Sequence, residues 1–248
     1  MGQEMIIGLS HDREIEIVGG CDPRPPVDAA PPSPISITPA LGELLDLVKV
    51  DVVVDFTTAE AAAQNAREAL TRAVPIVIGT TGLSQAEIAT IDELARASNV
   101  AALVAPNFAI GANLLAQFAK IASRFFDSAE VIEIHHDGKI DAPSGTALMI
   151  AQGMRDGRGR PFSGDNVSKH VLPNSRGATA GDLHVHSLRL PGFVATHEVI
   201  FGGPGQSLTI RHDSIGRDSF VPGVAFAVKN IRGRVGLIYG LDQLMGLA

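Results

Sequence analysis

Three apolar runs lie between residues 51 and 104: DVVVDF (Asp51–Phe56), VPIVIG (Val74–Gly79) and VAALV (Val100–Val104). They are rich in Val and Ile and show no alternation of polar and apolar residues. Continuous apolar runs of this length are typical of parallel strands, because helices cover both faces of a parallel sheet. This stretch therefore predicts a buried parallel β-sheet.

Ala-rich segments that favour helices separate the three runs, and they have about the length that crossover helices need. Thr57 with Glu60, and Ser84 with Glu87, each match a capping box, in which a hydroxyl and a carboxylate cap the start of a helix. The repeated strand–helix–strand order predicts a doubly wound α/β domain with right-handed crossovers.

The segments on either side extend this pattern. Upstream, Gln3–Ser10 favours a short helix and Glu14–Gly20 a further strand. The proline-rich segment Asp22–Pro39 predicts a loop, since proline lacks a backbone donor. At the other end, Phe220–Asn230 predicts a helix and Gly236–Gly240 a strand, and both could return to the first domain.

From about residue 129 the pattern changes to short strands joined by Gly and Pro turns. The predicted strands are Ala129–His136, His184–Leu190, Thr196–Phe201 and Ser207–His212. Runs of short strands favour an antiparallel sheet, so this half is predicted to be α+β. The polar, Gly-rich segment Arg155–Ser168 is expected to be an exposed, mobile loop.

The composition of the chain excludes several classes of function. The chain has 248 residues, a net charge of −7 and 45% hydrophobic residues, which fits a folded globular protein. An acidic chain without a basic block is a poor candidate for binding nucleic acid or a membrane surface. No apolar run is long enough to span a bilayer, and the N-terminus lacks a signal-peptide pattern. The single cysteine, Cys21, excludes an internal disulfide and suits a reducing compartment. We therefore expect a cytoplasmic protein.

The densest polar cluster is EIHHDGKIDAPSGTA, at Glu133–Ala147. In an extended strand His135 and His136 would point to opposite faces, and Lys139 follows in a turn. A helix start at Ser144 would offer backbone N–H groups to an anion. Two imidazoles, an ammonium and such a helix start form a plausible acid/base site for a carboxylate substrate.

Two alternative interpretations remain open for these histidines. The cluster could be a strand–turn–helix corner whose polar groups simply face solvent. His184 and His186, at i and i+2 on one strand face, have a spacing that metal sites use, although no third ligand lies nearby in the sequence.

The cluster resembles the signature of the 4-hydroxy-tetrahydrodipicolinate reductase (dihydrodipicolinate reductase) family, which belongs to the diaminopimelate and lysine pathway. VVVDFT (Val52–Thr57), GTTG (Gly79–Gly82) and APNFAIGAN (Ala105–Asn113) are also similar to that family. So are HSLRLPGFVATHEVIFG and LTIRHDSIGRDSFVPGV, between His186 and Val224. The similarity covers nearly the whole chain, in the order of the family.

The resemblance implies a Rossmann-like dinucleotide-binding domain, formed by residues 1–107 and 218–248. Residues 108–217 would be an inserted α+β domain for substrate binding and tetramerisation. It implies NADH or NADPH as cofactor, a small dicarboxylate as substrate, and a homotetramer. The reaction would reduce 4-hydroxy-tetrahydrodipicolinate to tetrahydrodipicolinate.

The resemblance also implies individual roles. His135 would donate or accept the proton, and Lys139 would be the second catalytic group. His136, Gly145 and Thr146 would hold the substrate carboxylates. The residues that would contact the cofactor follow two predicted strands and are Gly79, Thr80, Thr81, Ala105, Pro106, Asn107 and Phe108. Ligands bind at the carboxyl ends of strands in such sheets.

The choice of cofactor depends on the residues that follow the predicted strand Glu14–Gly20. Asp22 lies there, where an acidic residue can bind the adenosine ribose hydroxyls and favour NADH. Arg24 could instead meet the 2′-phosphate of NADPH. Either residue could also be an ordinary loop charge beside the prolines.

The sequence departs from the family at its start. The family begins with a strand and a glycine-rich turn, whereas Met1-Gly2 correspond to the last residues of that turn. The expectation is that the true start lies upstream, because the later motifs are intact. The alternative is a dicarboxylate-binding protein of the same fold that has lost dinucleotide binding and catalysis. A His-based metal hydrolase is a third hypothesis.

Overall fold

The computed structural model describes residues 1–23, 35–163 and 167–247. In this part of the chain the helices are α1 (Gly2–Ser10), α2 (Leu41–Leu47), α3 (Ala59–Thr71), α4 (Gln85–Ala97), α5 (Ile110–Ala122), α6 (Gly145–Arg158), α7 (Val221–Ile231) and α8 (Leu241–Leu244). The strands are β1 (Gly19–Cys21), β2 (Ser36–Thr38), β3 (Val53–Asp55), β4 (Ile76–Ile78), β5 (Ala101–Val104), β6 (Ser128–His135), β7 (Ala178–Ala180), β8 (Leu183–Arg189), β9 (Ala195–Gly203), β10 (Gln206–Ser214) and β11 (Gly236–Tyr239).

The chain divides into two compact units. The first combines Met1–Ile110 with Arg217–Ala248, and the second is Gly111–Gly216. Strand β11 of the C-terminal segment pairs in parallel with β5, so the tail returns to the first unit.

The three apolar runs form β3, β4 and β5 of a parallel sheet in the first unit, whose order in the described chain is β11-β5-β4-β3. All residues of β4 and β5 are buried. Val77 and Leu103 pack in a core with α1 and α7, whereas Ile76 and Ile78 pack in a core with α3 and α4. Both faces are thus covered, which explains the lack of polar alternation. The predicted α/β fold class is confirmed.

The strand predicted at Glu14–Gly20 is wrong in its extent. The observed strand β1 is Gly19–Cys21, and it pairs in parallel with β2 in a separate two-stranded sheet. Ile15 and Ile17 pack against the core that includes α1 and α7 without a strand partner in the described residues, so their apolar side chains reflect packing and not strand pairing. Strand β2 lies inside the segment predicted as a loop, and residues 24–34 are outside the described residues.

One of the two predicted capping boxes is wrong. Ser84 and Glu87 form the predicted box at the start of α4. At α3 the cap is Thr58, whose hydroxyl accepts from the Ala61 N–H at 3.4 Å. The Thr57 hydroxyl instead donates to the buried carboxylate of Asp55 at 2.9 Å, so the helix begins one residue later.

The second unit is built on a five-stranded sheet of order β10-β9-β6-β8-β7. The prediction of an antiparallel sheet is wrong for one pair, because β6 and β8 run parallel while the other neighbours are antiparallel. Helix α6 and β7 lie between β6 and β8 in the sequence, and such a long connection allows parallel pairing. Core residues of α5 and α6 pack with Val131, Val185, Val199 and Phe201 on one sheet face.

The expected exposed loop at Arg155–Ser168 is also wrong at its start. Helix α6 continues to Arg158, whose side chain is 1% exposed. Its guanidinium donates to the carbonyl oxygens of Ser123 at 2.9 Å and Pro161 at 3.2 Å, and to Asp127. It also lies 4.7 Å from the ring centre of Phe162. Residues 164–166 are outside the described residues.

Among the described residues, no helix is both long enough and apolar enough to cross a bilayer.

Candidate active site

His135 is the last residue of β6, on the sheet face that carries the core of the second unit. Its side chain is buried, whereas His136 is exposed at the beginning of the following turn. Alternation along the strand places Glu133 on the same face as His135. The Nδ1 atom of His135 is hydrogen bonded to Oε2 of Glu133.

Glu133 is fully buried and its carboxylate is surrounded by donors. Arg189, on β8, donates from Nη2 to Oε1 at 2.8 Å and from Nη1 to Oε2 at 3.1 Å. The backbone N–H of Ser144 donates to Oε1 at 3.4 Å. A buried carboxylate is stable as an ion only when it is paired and hydrogen bonded in this way.

Burial and hydrogen bonding act in opposite directions on this carboxylate. Burial raises the pKa of Glu133, but hydrogen bonds from Arg189, Ser187 and His135 together hold it below its usual value. Glu133 is therefore ionised at neutral pH.

His135 is held neutral by its surroundings. Burial lowers its pKa, the hydrogen bond and charge of Glu133 raise it, and the charges of Lys139 and Arg189 lower it, so that the net shift is downward. At neutral pH the ring is uncharged. Because Glu133 accepts the Nδ1 proton, Nε2 is the nitrogen that can exchange a proton with a ligand.

Lys139 lies in the turn that follows β6. Its ammonium donates to Oδ1 of Asp141 at 2.6 Å, and its backbone N–H donates to the His136 carbonyl at 3.1 Å. Arg189 donates from Nη2 to the carbonyl of Asp141 at 2.6 Å. The same arginine therefore contacts both the carboxylate of Glu133 and the Lys139 turn.

The start of helix α6 completes this part of the site. Ser144 is the N-cap, and its hydroxyl accepts from the Ala147 N–H at 3.2 Å. Gly145 is exposed, with open space where a side chain would begin, and Thr146 is half-buried in the first turn. A helix start of this kind favours a negative charge nearby.

His197, on β9, is a buried histidine that lies beside these groups. Its Nε2 is 3.2 Å from the Ser144 hydroxyl, and its ring centre is 5.4 Å from that of His135. Burial, followed by the nearby His135, lowers the pKa of His197 to about 4. His197 is thus neutral at neutral pH and supports the N-cap of α6.

The predicted cofactor residues lie in the first unit, after the carboxyl ends of β4 and β5. Gly79 is half-buried, and a Cβ there would lie 2.1 Å from the Phe56 ring. The Thr80 hydroxyl donates to buried Asp55 at 2.8 Å, whereas Thr81 is exposed. The Gly79–Thr81 loop can therefore offer backbone groups and the Thr81 side chain to a ligand.

The second of these loops, Ala105–Phe108, follows β5. Ala105 and Phe108 are buried, and the Phe108 ring centre lies 5.7 Å from that of Phe56. Pro106 is exposed, and the Asn107 side chain accepts from the Ala109 N–H at 2.9 Å. The side chain of Phe108 thus belongs to the core, and only the backbone there can meet a ligand.

Asp22 is exposed directly after β1, and its N–H donates to the Thr38 carbonyl at 3.0 Å. Arg24, the residue that could favour NADPH, lies outside the described residues.

The histidine pair on β8 has a different environment from His135. His186 is bonded through Nε2 to Glu130 at 2.6 Å, and Glu130 also accepts from Arg176. No group of three or more His, Cys, Asp or Glu side chains with metal-binding geometry occurs in residues 1–23, 35–163 and 167–247.

Comparison with known families identifies the chain. Residues 1–108 match the family described as dihydrodipicolinate reductase, N-terminus, and residues 111–245 match the family described as its C-terminus. The chain belongs to the dihydrodipicolinate reductase family. The predicted resemblance is thereby confirmed.

Individual members of the dihydrodipicolinate reductase family are similar along almost the whole chain. The 4-hydroxy-tetrahydrodipicolinate reductase of Moorella thermoacetica is 46% identical, over 99% of this chain and 94% of the relative. That of Dehalococcoides mccartyi is 44% identical, over 100% and 95%. The dipicolinate-bound dihydrodipicolinate reductase of Paenisporosarcina sp. TG-14 superposes with a TM-score of 0.90 at 36% identity, covering 98% of this chain and 94% of that one.

Four contacts around His135 were not predicted from the sequence. They are the bond of Glu133 to His135, the bonds of Ser144 and Arg189 to Glu133, and the position of His197 beside the His135 ring. Glu133 had a local signal, because it lies two positions before His135 and so shares its strand face. Arg189 and His197 had none, since they come from other strands and reach His135 and Glu133 only through sheet pairing.

Proposed function

We propose that this chain reduces 4-hydroxy-tetrahydrodipicolinate to tetrahydrodipicolinate with a pyridine nucleotide, a reaction in which the substrate hydroxyl leaves as water, the nucleotide would supply a hydride and a proton is added at the neighbouring carbon. The observation that carries the proposal is the buried Glu133–His135 pair beside Lys139 and the start of helix α6. It combines a neutral imidazole, an ammonium and an anion-binding helix start. Those are the groups that proton transfer to a bound dicarboxylate requires.

The substrate carboxylates are assigned to the start of helix α6 and to Lys139. Gly145 leaves open space at the first helical position, and the Thr146 hydroxyl lies in the same turn. Lys139 is paired with the exposed Asp141, so a substrate carboxylate can replace Asp141 at the ammonium. The relative from Paenisporosarcina was solved with dipicolinate bound, which supports a dicarboxylate ligand.

His135 is assigned the proton transfer. In the free protein its ring is neutral, because burial lowers its pKa. A bound dianion adds negative charge beside the ring and therefore raises that pKa. Substrate binding thus favours the protonated ring, in which Nε2 holds a proton for the reacting carbon.

The residues of the first unit fit a dinucleotide. Gly79 and Gly82 (φ +91°) follow a parallel strand at the carboxyl edge of the sheet, and a Cβ on Gly79 would collide with Phe56. The nucleotide would be held by the backbone of the Gly79–Thr81 and Ala105–Phe108 loops, and it would supply the hydride. Asp22 would bind the ribose hydroxyls, which favours NADH over NADPH.

A homotetramer is part of the proposal. The sheet face of the second unit opposite to the α5–α6 core carries half-buried Ile132 and Ile200 and exposed Leu188. These side chains give a second copy of the chain an apolar patch on a face that also carries Glu130 and His186. In sedimentation velocity, we expect the wild type to sediment as a tetramer and Leu188→Lys as a smaller species. A monomeric wild type would contradict this assignment.

The test of the function is steady-state turnover with each nucleotide. We expect consumption of NADH or NADPH that depends on 4-hydroxy-tetrahydrodipicolinate and is inhibited by dipicolinate. Dipicolinate binding without turnover, together with no affinity for either nucleotide, would favour the alternative of a dicarboxylate-binding protein.

A further inference from the structure

The carboxylate of Glu133 lies at the centre of the second-unit site, yet it is too deeply buried to touch a substrate. Its side chain is 0% exposed. Its contacts reach three groups that the proposed function uses, which are His135, the start of α6 and, through Arg189, the turn of Lys139.

The first connection is to the acid/base group. Glu133 accepts the Nδ1 proton of His135 at its Oε2 atom, so the ring is fixed in orientation and in tautomer. Catalytic histidines need such a partner, because the wrong tautomer presents a proton where a lone pair is needed, or the reverse.

The second connection is to the helix that would hold the substrate carboxylate. The Ser144 N–H donates to Oε1 of Glu133 at 3.4 Å, and the Ser144 hydroxyl caps α6. The distance from the His135 ring to the start of α6 is therefore set through one carboxylate.

The third connection passes through Arg189. This guanidinium donates to both oxygens of Glu133 and also to the Asp141 carbonyl at 2.6 Å. Asp141 pairs with Lys139, so the arginine holds the end of the Lys139 turn against β6 and β8.

We propose that Glu133, together with Arg189, is a positioning pair that orients His135 and holds the helix start and the Lys139 turn at fixed distances from it. This inference rests on the proposed function of the site. Neither residue is assigned a contact with substrate.

A purely structural role is the alternative, since a buried ion pair between β6 and β8 also joins two strands. The two roles differ in how they affect the titration of His135. The charged and titratable groups that face His135 are Glu133 on its own strand, Lys139 in the turn, Arg189 on β8 and His197 on β9. His212 on β10 acts on His197 in turn. Among those that act on the His135 ring, Glu133 alone is negative.

Glu133→Gln removes this negative charge and keeps the size of the side chain. Without it, the remaining cations lower the pKa of His135 further. We expect kcat to fall on the order of 10²-fold, and the alkaline limb of its pH profile to move to lower pH by at least about one unit. The matched control is Glu130→Gln on the same strand, since Glu130 is also bonded to a histidine and an arginine. We expect its pH profile to match that of the wild type.

Arg189→Lys tests whether the contacts of the guanidinium matter apart from its positive charge. Lysine keeps the positive charge, but one ammonium cannot reach both Glu133 oxygens and the Asp141 carbonyl. We expect the pH limb to stay near that of the wild type, and dipicolinate affinity to fall about tenfold, because the Lys139 turn loses the charge-assisted hydrogen bond that holds it in place. This variant still tests the proposal if Glu133→Gln does not fold.

Dipicolinate binding gives a readout that does not depend on turnover. Affinity for the dianion should fall as pH rises through the pKa of His135, and this fall should begin at lower pH in Glu133→Gln. If the wild type binds dipicolinate but does not turn over, the proposed function fails while this readout still tests the inference. Wild-type pH dependence in Glu133→Gln, or unchanged dipicolinate affinity in Arg189→Lys, would overturn it.

Discussion

Strand β6 carries two glutamates, Glu130 and Glu133, that have similar partners on opposite sheet faces. Each accepts hydrogen bonds from one arginine and one histidine. In both, burial raises the pKa of the carboxyl group, but the hydrogen bonds lower it by more than burial raises it, so both are ionised. The chemistry is the same, but the side chain of Glu130 is 31% exposed and that of Glu133 is 0% exposed.

The two histidines differ in the nitrogen that the carboxylate engages. Glu130 binds Nε2 of His186. The Nδ1 atom of that ring faces Gly177 so closely that a Cβ added to this glycine would lie 2.8 Å from it. Glu133 binds Nδ1 of His135 and leaves Nε2 for a ligand. Comparable ion pairs can therefore serve different purposes, and both burial and the choice of ring nitrogen distinguish them.

The largest expected effect comes from removing each histidine in turn. His135→Gln should lower kcat by about 10²–10⁴, because it removes the acid/base group. His186→Gln, the matched variant, should keep kcat within about twofold, provided that the oligomer is intact. Steady-state kinetics decides the comparison, and equal losses in the two variants would contradict it.

Lys139→Ala should lower kcat by about 10² while the melting temperature stays near that of the wild type. Among the described residues the ammonium has one ion-pair partner, Asp141, whose side chain is 54% exposed, and pairs with an exposed partner contribute little to stability. Kinetics and thermal unfolding on the same preparation check both parts. A normal kcat with a melting temperature several degrees lower would make Lys139 structural.

The burial of His197 should also affect the stability of the fold at acid pH. His197 has a pKa of about 4 in the folded protein against 6.5 for the ordinary group. The unfolded chain therefore binds more protons between these values, so stability is full above pH 6.5 and declines as pH falls towards 4. The loss is on the order of 3 kcal/mol. In denaturant unfolding, the wild type should lose more stability than His197→Phe as pH falls from 6.5 to 4, by on the order of 3 kcal/mol, and parallel curves would contradict this.

The smallest effect is expected at the start of α6. Thr146→Val keeps the shape of the side chain but removes its hydroxyl donor, so dipicolinate affinity should fall about tenfold. Cofactor affinity should be unchanged. Calorimetric titration measures both, and unaltered dipicolinate binding would place the carboxylate elsewhere.

The fold and the site differ in how far the sequence could predict them. β3, β4 and β5 were predictable because both of their faces are buried, which leaves a continuous apolar run. The capping box of α4 was predictable from local spacing, but that of α3 was not, because the buried Asp55 binds the Thr57 hydroxyl.

Long-range pairing limited the prediction of the site. His135, Lys139 and the start of α6 are close in sequence, so the cluster could be recognised as a unit. Arg189 is 56 positions from Glu133, and the parallel pairing of β6 with β8 that joins them leaves no local pattern. The burial that lowers the pKa of His135 likewise depends on strands that the sequence does not place.

The most direct test of the account is the protonation state of the His135 ring in the free protein. Nitrogen chemical shifts of isotopically labelled histidine distinguish the tautomers, and the His135→Gln variant assigns the signal. Near neutral pH the account predicts a neutral ring with its proton on Nδ1, and a ring titration that moves to lower pH in Glu133→Gln but not in Glu130→Gln. A proton on Nε2 in the wild type, or a ring that titrates at the same pH in Glu133→Gln as in the wild type, would contradict it.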